Sequence, residues 1–160
     1  AAPIAMVNTG HSVNSAALGI QWHLLAMFAP SFVTGRLMTR FGKERVTAAG
    51  MLLIAVSAVV ALAGLELINF WGSLAIMGLG WNFSFIGATA MVTDCHTPGE
   101  RAKAQGANDF MVFGTTAAVS FLAGSVLHNS GWAAINWLLF PPVALILVPL
   151  LWQAARKPQA

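Results

Sequence analysis

Long apolar runs alternate with short polar stretches along this chain, and the alternation predicts its elements. Residues 16–34, 46–64, 67–92, 107–127 and 132–153 are mostly apolar. Each is close to the roughly 20 residues a helix needs to cross about 30 Å of hydrocarbon. Residues 1–9 read as the last turns of a further span, so the chain is expected to be a fragment that begins late in an earlier helix. With no basic leader, this stretch is not expected to be a signal peptide. Pro30 is predicted to kink the first complete span, because its ring removes the hydrogen bond to Ala26. Pro141, Pro142 and Pro149 are expected to break the last. Trp132 and Trp152 would lie about 30 Å apart on one helix, as an anchor at each interface.

Composition turns this pattern into a class. Of 160 residues 58% are hydrophobic and only 8% charged, with a mean hydropathy of +0.74, whereas soluble domains carry about 25% charged residues. The expected fold is an all-α membrane protein, a polytopic transmembrane helix bundle of five complete spans plus a partial first one, with the lipid bilayer as its first partner. Apolar flanks deny the dense basic face that nucleic-acid binding needs. A single cysteine, Cys95, excludes an internal disulfide and a multi-cysteine metal site.

Charge placement sets the orientation. Arg36, Arg40, Lys43 and Arg45 fall in residues 35–45, Arg101 and Lys103 in residues 94–106, and Arg156 and Lys157 in the tail, 154–160. These are alternate connections, so all eight basic residues share one face, which the positive-inside rule assigns to the cytoplasm. Thr97-Pro98-Gly99-Glu100 is a predicted helix start: Thr97 as cap, Pro98 at the first helical position, Glu100 completing a capping box.

Polar groups inside lipid are expensive and tend to face a protein interior or a water path. Gln21 and His23 lie in the outer half of the first complete span, about 200° apart around the helix at ~100° per residue. Gln21 shares a face with Asn14, Leu18, Leu25 and Phe28, and His23 with Ala16, Met27 and Pro30. Each has two readings, an interhelical hydrogen-bonding group or a substrate or proton contact. Trp81 and Asn82, beside Gly78 and Gly80 at mid-depth, would orient a semi-polar ligand or join two helices. Asp109 follows Arg101 and Gln105 at steps of four, so Gln105 is expected to bond it along the helix. Its role is either structural, including gating, or that of an intramembrane proton relay. Asp94-Cys95-His96 places possible metal ligands together, but adjacent side chains on a helix splay apart, and neither a metal nor a cofactor is expected. No HExxH, nucleophile elbow or phosphate-cradling glycine loop is present.

Gly35-x-Leu37-x-x-Arg40-x-Gly42-Lys43-x-Arg45, between two spans, resembles the signature turn of the major facilitator superfamily, G-x-L-x-D-R-x-G-R-R. Pro98-x-Glu100-Arg101-x-x-x-Gln105-Gly106 is similar to the loop entering that family's eleventh helix. The resemblance covers the whole chain, as the end of helix seven and helices eight to twelve. It implies the C-terminal half of a transporter of the bacterial inner membrane, moving a small solute or drug by alternating access with proton coupling. It further implies that the missing N-terminal half is a partner, and that this chain does not transport as a monomer.

The resemblance makes Gly35, Leu37, Arg40, Gly42, Lys43 and Arg45 a gating turn, and Thr97, Glu100 and Arg101 a docking surface for the first half. Thr39 stands where the family usually has an Asp that helps the turn latch. Because helices seven, eight, ten and eleven of the family border the cavity, the resemblance favours Gln21, His23, Trp81, Asn82 and Asp109 over Asn136 of the last span. The rival readings are a non-transporting assembly protein held by small-residue faces, and a membrane-embedded enzyme using His23 or His96.

Overall fold

The computed structural model describes residues 1–97 and 99–156, and every regular element among them is a helix. α1 (Ala2–Asn8) leads through a polar turn into α2 (Val13–Phe28), which Ser12 caps by accepting the Ser15 N–H at 3.1 Å. Ala29 and Pro30 separate α2 from α3 (Ser31–Phe41), and the two axes differ by 43°. Proline lacks the N–H that would carry α2 onward, so the bend falls at Pro30 as its chemistry requires.

Most of the basic stretch 35–45 is helical. Only Gly42, at φ 91° and ψ 149°, interrupts the path from α3 into α4 (Lys43–Leu62), a backbone position suited to glycine. The expected turn is therefore a one-residue corner between two helices. α5 (Leu67–Asp94) follows, then α6 (Arg101–Trp137) and α7 (Phe140–Arg156). His128, Asn129 and Ser130, the polar residues between the apolar runs 107–127 and 132–153, stay helical, and α6 is interrupted at Gly131, at φ 77° and ψ −179°. Pro141 and Pro142 occupy the first turn of α7, where a missing N–H costs no helical bond. Trp132 and Trp152 thus lie on separate helical pieces. Pro98 lies outside the described residues.

Contacts along each helix give its direction. Thr47, Gly50 and Ile54 of α4 meet Gly87, Ser84 and Gly80 of α5, so these two are antiparallel. Phe113 of α6 meets Phe85 of α5, and Trp132 meets Phe70, so α6 climbs back along α5. Beyond Gly131 the chain reverses: Trp132 Nε1 donates to Ala61 O at 3.2 Å, while Val143 and Leu150 pack with Ala48 and Met51 of α4. By length and composition Lys43–Leu62, Leu67–Asp94 and Arg101–Ala155 can cross a membrane, as can α2 and α3 taken together. Large apolar side chains such as Phe32 and Phe121 stand on the outside, as a lipid-facing surface demands. The molecule is an all-α membrane helix bundle.

The α4–α5 seam is built from absent side chains. A Cβ on Gly50 would lie 2.7 Å from Ser84 N and 2.8 Å from Gly80 O, and one on Gly80 would lie 2.8 Å from Gly50 O. Gly87 likewise leaves room for the Thr47 side chain. Lipid gives no hydrophobic drive for helix association, so van der Waals contact between backbones has to hold this pair. At one end, Lys43 of α4 forms an ion pair with Asp94 of α5.

Candidate substrate path

The opposite side of α5 meets α2 and α3 through polar groups. Trp71 Nε1 donates to Ser15 O at 2.9 Å, and His23 Nδ1 donates to Leu74 O at 2.8 Å. A carbonyl only accepts, so Nδ1 carries the proton of this bond. His23 is half-buried, whereas Asn14, Leu18, Gln21, Leu25 and Phe28 are all exposed. The two polar residues of this span therefore point apart, His23 into α5 and Gln21 to the open face.

Asn82 is 3% exposed and sits where α2 breaks. Its Nδ2 donates to Met27 O, in the last turn of α2, and to Ser31 Oγ, at the start of α3, both at 2.7 Å. Thr34 Oγ1 lies 2.6 Å from Asn82 Oδ1 and 2.8 Å from Pro30 O. Pro30 O already receives the N–H groups of Val33 and Thr34, so the single hydroxyl proton is better used on Asn82. One amide joins both pieces of the broken helix, satisfying the kind of carbonyl that a helix end leaves bare. Gly78, one turn earlier, lets α5 approach the His23 carbonyl closely enough for these bonds to form.

Trp81 points elsewhere. Its ring stacks on Phe85 with centroids 5.9 Å apart and planes 8° apart, and Phe85 meets Phe113 of α6 at 6.4 Å and 55°. Asp109, one turn from Phe113, is half-buried, and its Oδ1 accepts from Gln105 Nε2 at 2.8 Å and from Asn108 Nδ2 at 3.3 Å. Ser31, Thr34, Phe85 and Phe113 are absent from the sequence-derived candidates. Phe85 was legible as the i+4 neighbour of Trp81, but the partners of Asn82 depend on how α2 registers against α5.

At the basic end, Gly35, Arg40 and Arg45 are exposed, and the Arg40 guanidinium lies 5.3 Å from the centroid of the Phe41 ring. Thr39 Oγ1 donates to Arg36 O at 2.9 Å. Leu37, Phe41, Arg45, Val46, Ala49 and Phe83 line an open groove of about 300 Å³. Where α6 begins, Thr97 Oγ1 donates to Glu100 Oε2 at 2.6 Å. This bond, followed by one from the Thr97 N–H, holds the Glu100 carboxyl below the usual carboxylate range. The carboxylate arm of the expected capping box is present, while the Thr97 hydroxyl serves the carboxylate rather than a backbone N–H. Arg101 is exposed at the first position of α6. The three neighbours Asp94, Cys95 and His96 diverge: Asp94 pairs with Lys43, Cys95 is exposed, and His96 Nδ1 bonds to Val92 O.

A bundle of long apolar helices, with basic residues gathered at the α3–α4 corner, defines an integral membrane protein. The sequence profile of the Major Facilitator Superfamily matches residues 1–160, and the chain belongs to that family. It is 69% identical over 157 residues to the riboflavin transporter RfnT of Brucella anthropi, which covers 98% of this chain and 39% of that protein. It is 33% identical to YdeG of Bacillus subtilis, an uncharacterized MFS-type transporter, over 96% of this chain and 36% of that protein. The drug efflux pump JefA of Mycobacterium tuberculosis is 28% identical over 80% of this chain and 26% of its own length. The chain thus spans well under half the length of these relatives. No solved structure gave a significant match.

Proposed function

We propose that this chain is the C-terminal half of a secondary transporter that moves riboflavin, or a solute with a similar flat ring system, across the bacterial inner membrane by alternating access. The 69% identity to a protein named as a riboflavin transporter carries this reading. The basic ends of α3, α4 and α6 face the cytoplasm, in keeping with the positive-inside rule. Gln21, Trp81 and Asp109 border the path, and Asp109 relays the coupling proton. His23 and Asn82 hold the path's wall together through the bonds described above. Gly35, Leu37, Arg40, Gly42, Lys43 and Arg45 form the gating corner, and Thr97, Glu100 and Arg101 the surface that meets the other half. The pair α4–α5 is the rigid frame, and the α2–α3 bend is where this half flexes.

Uptake of labelled riboflavin by cells carrying the full-length gene, against cells carrying an empty vector, tests the reading. Saturable uptake, abolished by a protonophore and by Asp109→Asn, is the expected result. Uptake equal to the empty vector contradicts it. The match to a drug efflux pump supports a second reading, export of a drug-like compound. Lowered accumulation of a fluorescent drug together with no riboflavin uptake would favour that reading.

A further inference from the structure

We infer that Trp81, Phe85 and Phe113 form the stacking wall on which the flat ring of the substrate lies; the inference rests on the transport reading above. Trp81 and Phe85 are four residues apart on α5 and so share one face. Their planes are within 8° of each other with centroids 5.9 Å apart, a stacked pair of parallel aromatic rings. Phe113 stands across from them on α6, tilted 55° to Phe85, and is 61% exposed. The three rings make a corner in which Phe113 is exposed and Trp81 and Phe85 are half-buried. A fused-ring heteroaromatic can stack on the α5 rings and present its edge to Phe113, the two arrangements the ring quadrupole favours.

Beside this corner lies a polar edge. Asp109 is one helical turn from Phe113 on the same side of α6. Its Oδ1 takes both side-chain amide donors, from Gln105 and Asn108, leaving Oδ2 as an acceptor for a ring N–H. The ligand class is therefore a planar aromatic ring system bearing an N–H group along one edge. His23 and Asn82 have no part in this wall, because their bonds are made within the α2–α5 seam.

The test uses the full-length transporter. Phe113→Ala, at the most exposed ring, should raise the KM for riboflavin about fivefold to tenfold, the effect of losing one good aromatic contact. Maximal rate per correctly inserted molecule should stay within about twofold, because KM shifts alone when binding common to ground and transition state is lost. Trp81→Ala and Phe85→Ala should act the same way, while Trp81→Phe and Phe113→Trp keep KM near wild type. In the purified protein, Trp81→Phe should also relieve quenching of bound riboflavin fluorescence, which a packing role does not require. An unchanged KM in Phe113→Ala, with wild-type riboflavin uptake intact, overturns the wall and leaves the transport reading standing. Loss of rate at unchanged KM in all three alanine variants does the same, marking the rings as packing groups. Absence of riboflavin uptake in the wild type overturns both.

Discussion

The two sides of α5 hold their neighbours in different ways, although a glycine gives close approach on both. Toward α4 it offers Gly80, Ser84 and Gly87 against Thr47 and Gly50, and backbones approach within van der Waals contact over about two helical turns. Toward α2 and α3 it offers Trp71, Asn82 and the Leu74 carbonyl, each in a hydrogen bond to another helix. The first seam joins two unbroken helices along their length. The second bridges a proline break with one buried amide. Where lipid supplies no hydrophobic drive, both devices are available. They differ in what they allow: close backbone packing, which α2 also makes at Gly78, resists displacement, whereas α3 is held at the Asn82 hub by side-chain bonds about which it can swing.

Gly80→Leu should break the comparison hardest. Its side chain would meet Gly50 O and Ile54 backbone N at about 3 Å, where no flexible atom can give way. Overpacking of this kind costs about 3 kcal/mol or more, so full-length protein should be lost from the membrane, or unfold at markedly lower temperature in detergent. Asn82→Leu comes next. It leaves Met27 O and Ser31 Oγ without their side-chain donor, while the Thr34 hydroxyl keeps Pro30 O as an acceptor; a cost of about 2 kcal/mol is expected, read as lowered thermal stability in the same assay. Thr34→Val removes one donor and keeps the shape; about 1 kcal/mol is expected, with most transport retained. Ser84→Ala is the smallest. Ser84 Oγ is buried without a hydrogen-bond partner, so its removal should leave stability unchanged or raise it by up to about 1 kcal/mol. A large loss there would mean that the α4–α5 seam depends on a polar bond after all.

The bend at Pro30 was legible because proline chemistry is local, and so was the Gln105–Asp109 bond, which needs only helical spacing. The divergence of Gln21 and His23 followed from the angle between alternate residues of a helix. The basic stretch was read as a turn because its charges are conspicuous. It is mostly helix because nothing between Arg36 and Phe41 breaks one, and only Gly42 takes a positive φ. For the same reason α6 passes through His128, Asn129 and Ser130, polar residues that a helix tolerates, and stops at Gly131. Asn82 could be placed at mid-membrane but not given partners. Met27, Ser31 and Thr34 lie 55, 51 and 48 residues away along the chain. That register is set by Gly78 against His23, a contact between helices that no single-helix pattern encodes.

The central claim is that α5 stays fixed to α4 while α3 moves relative to α2 about the Asn82 hub. Spin labels on the full-length transporter, in a Cys95→Ser background, test it most directly. One pair at exposed Leu18 and Thr39 spans the bend, and a second at exposed Leu52 and Ala88 spans the rigid seam. Adding saturating riboflavin should shift the Leu18–Thr39 distance distribution and leave the Leu52–Ala88 distribution unchanged. A shift in the second pair as large as in the first, or none in the first, would contradict the account.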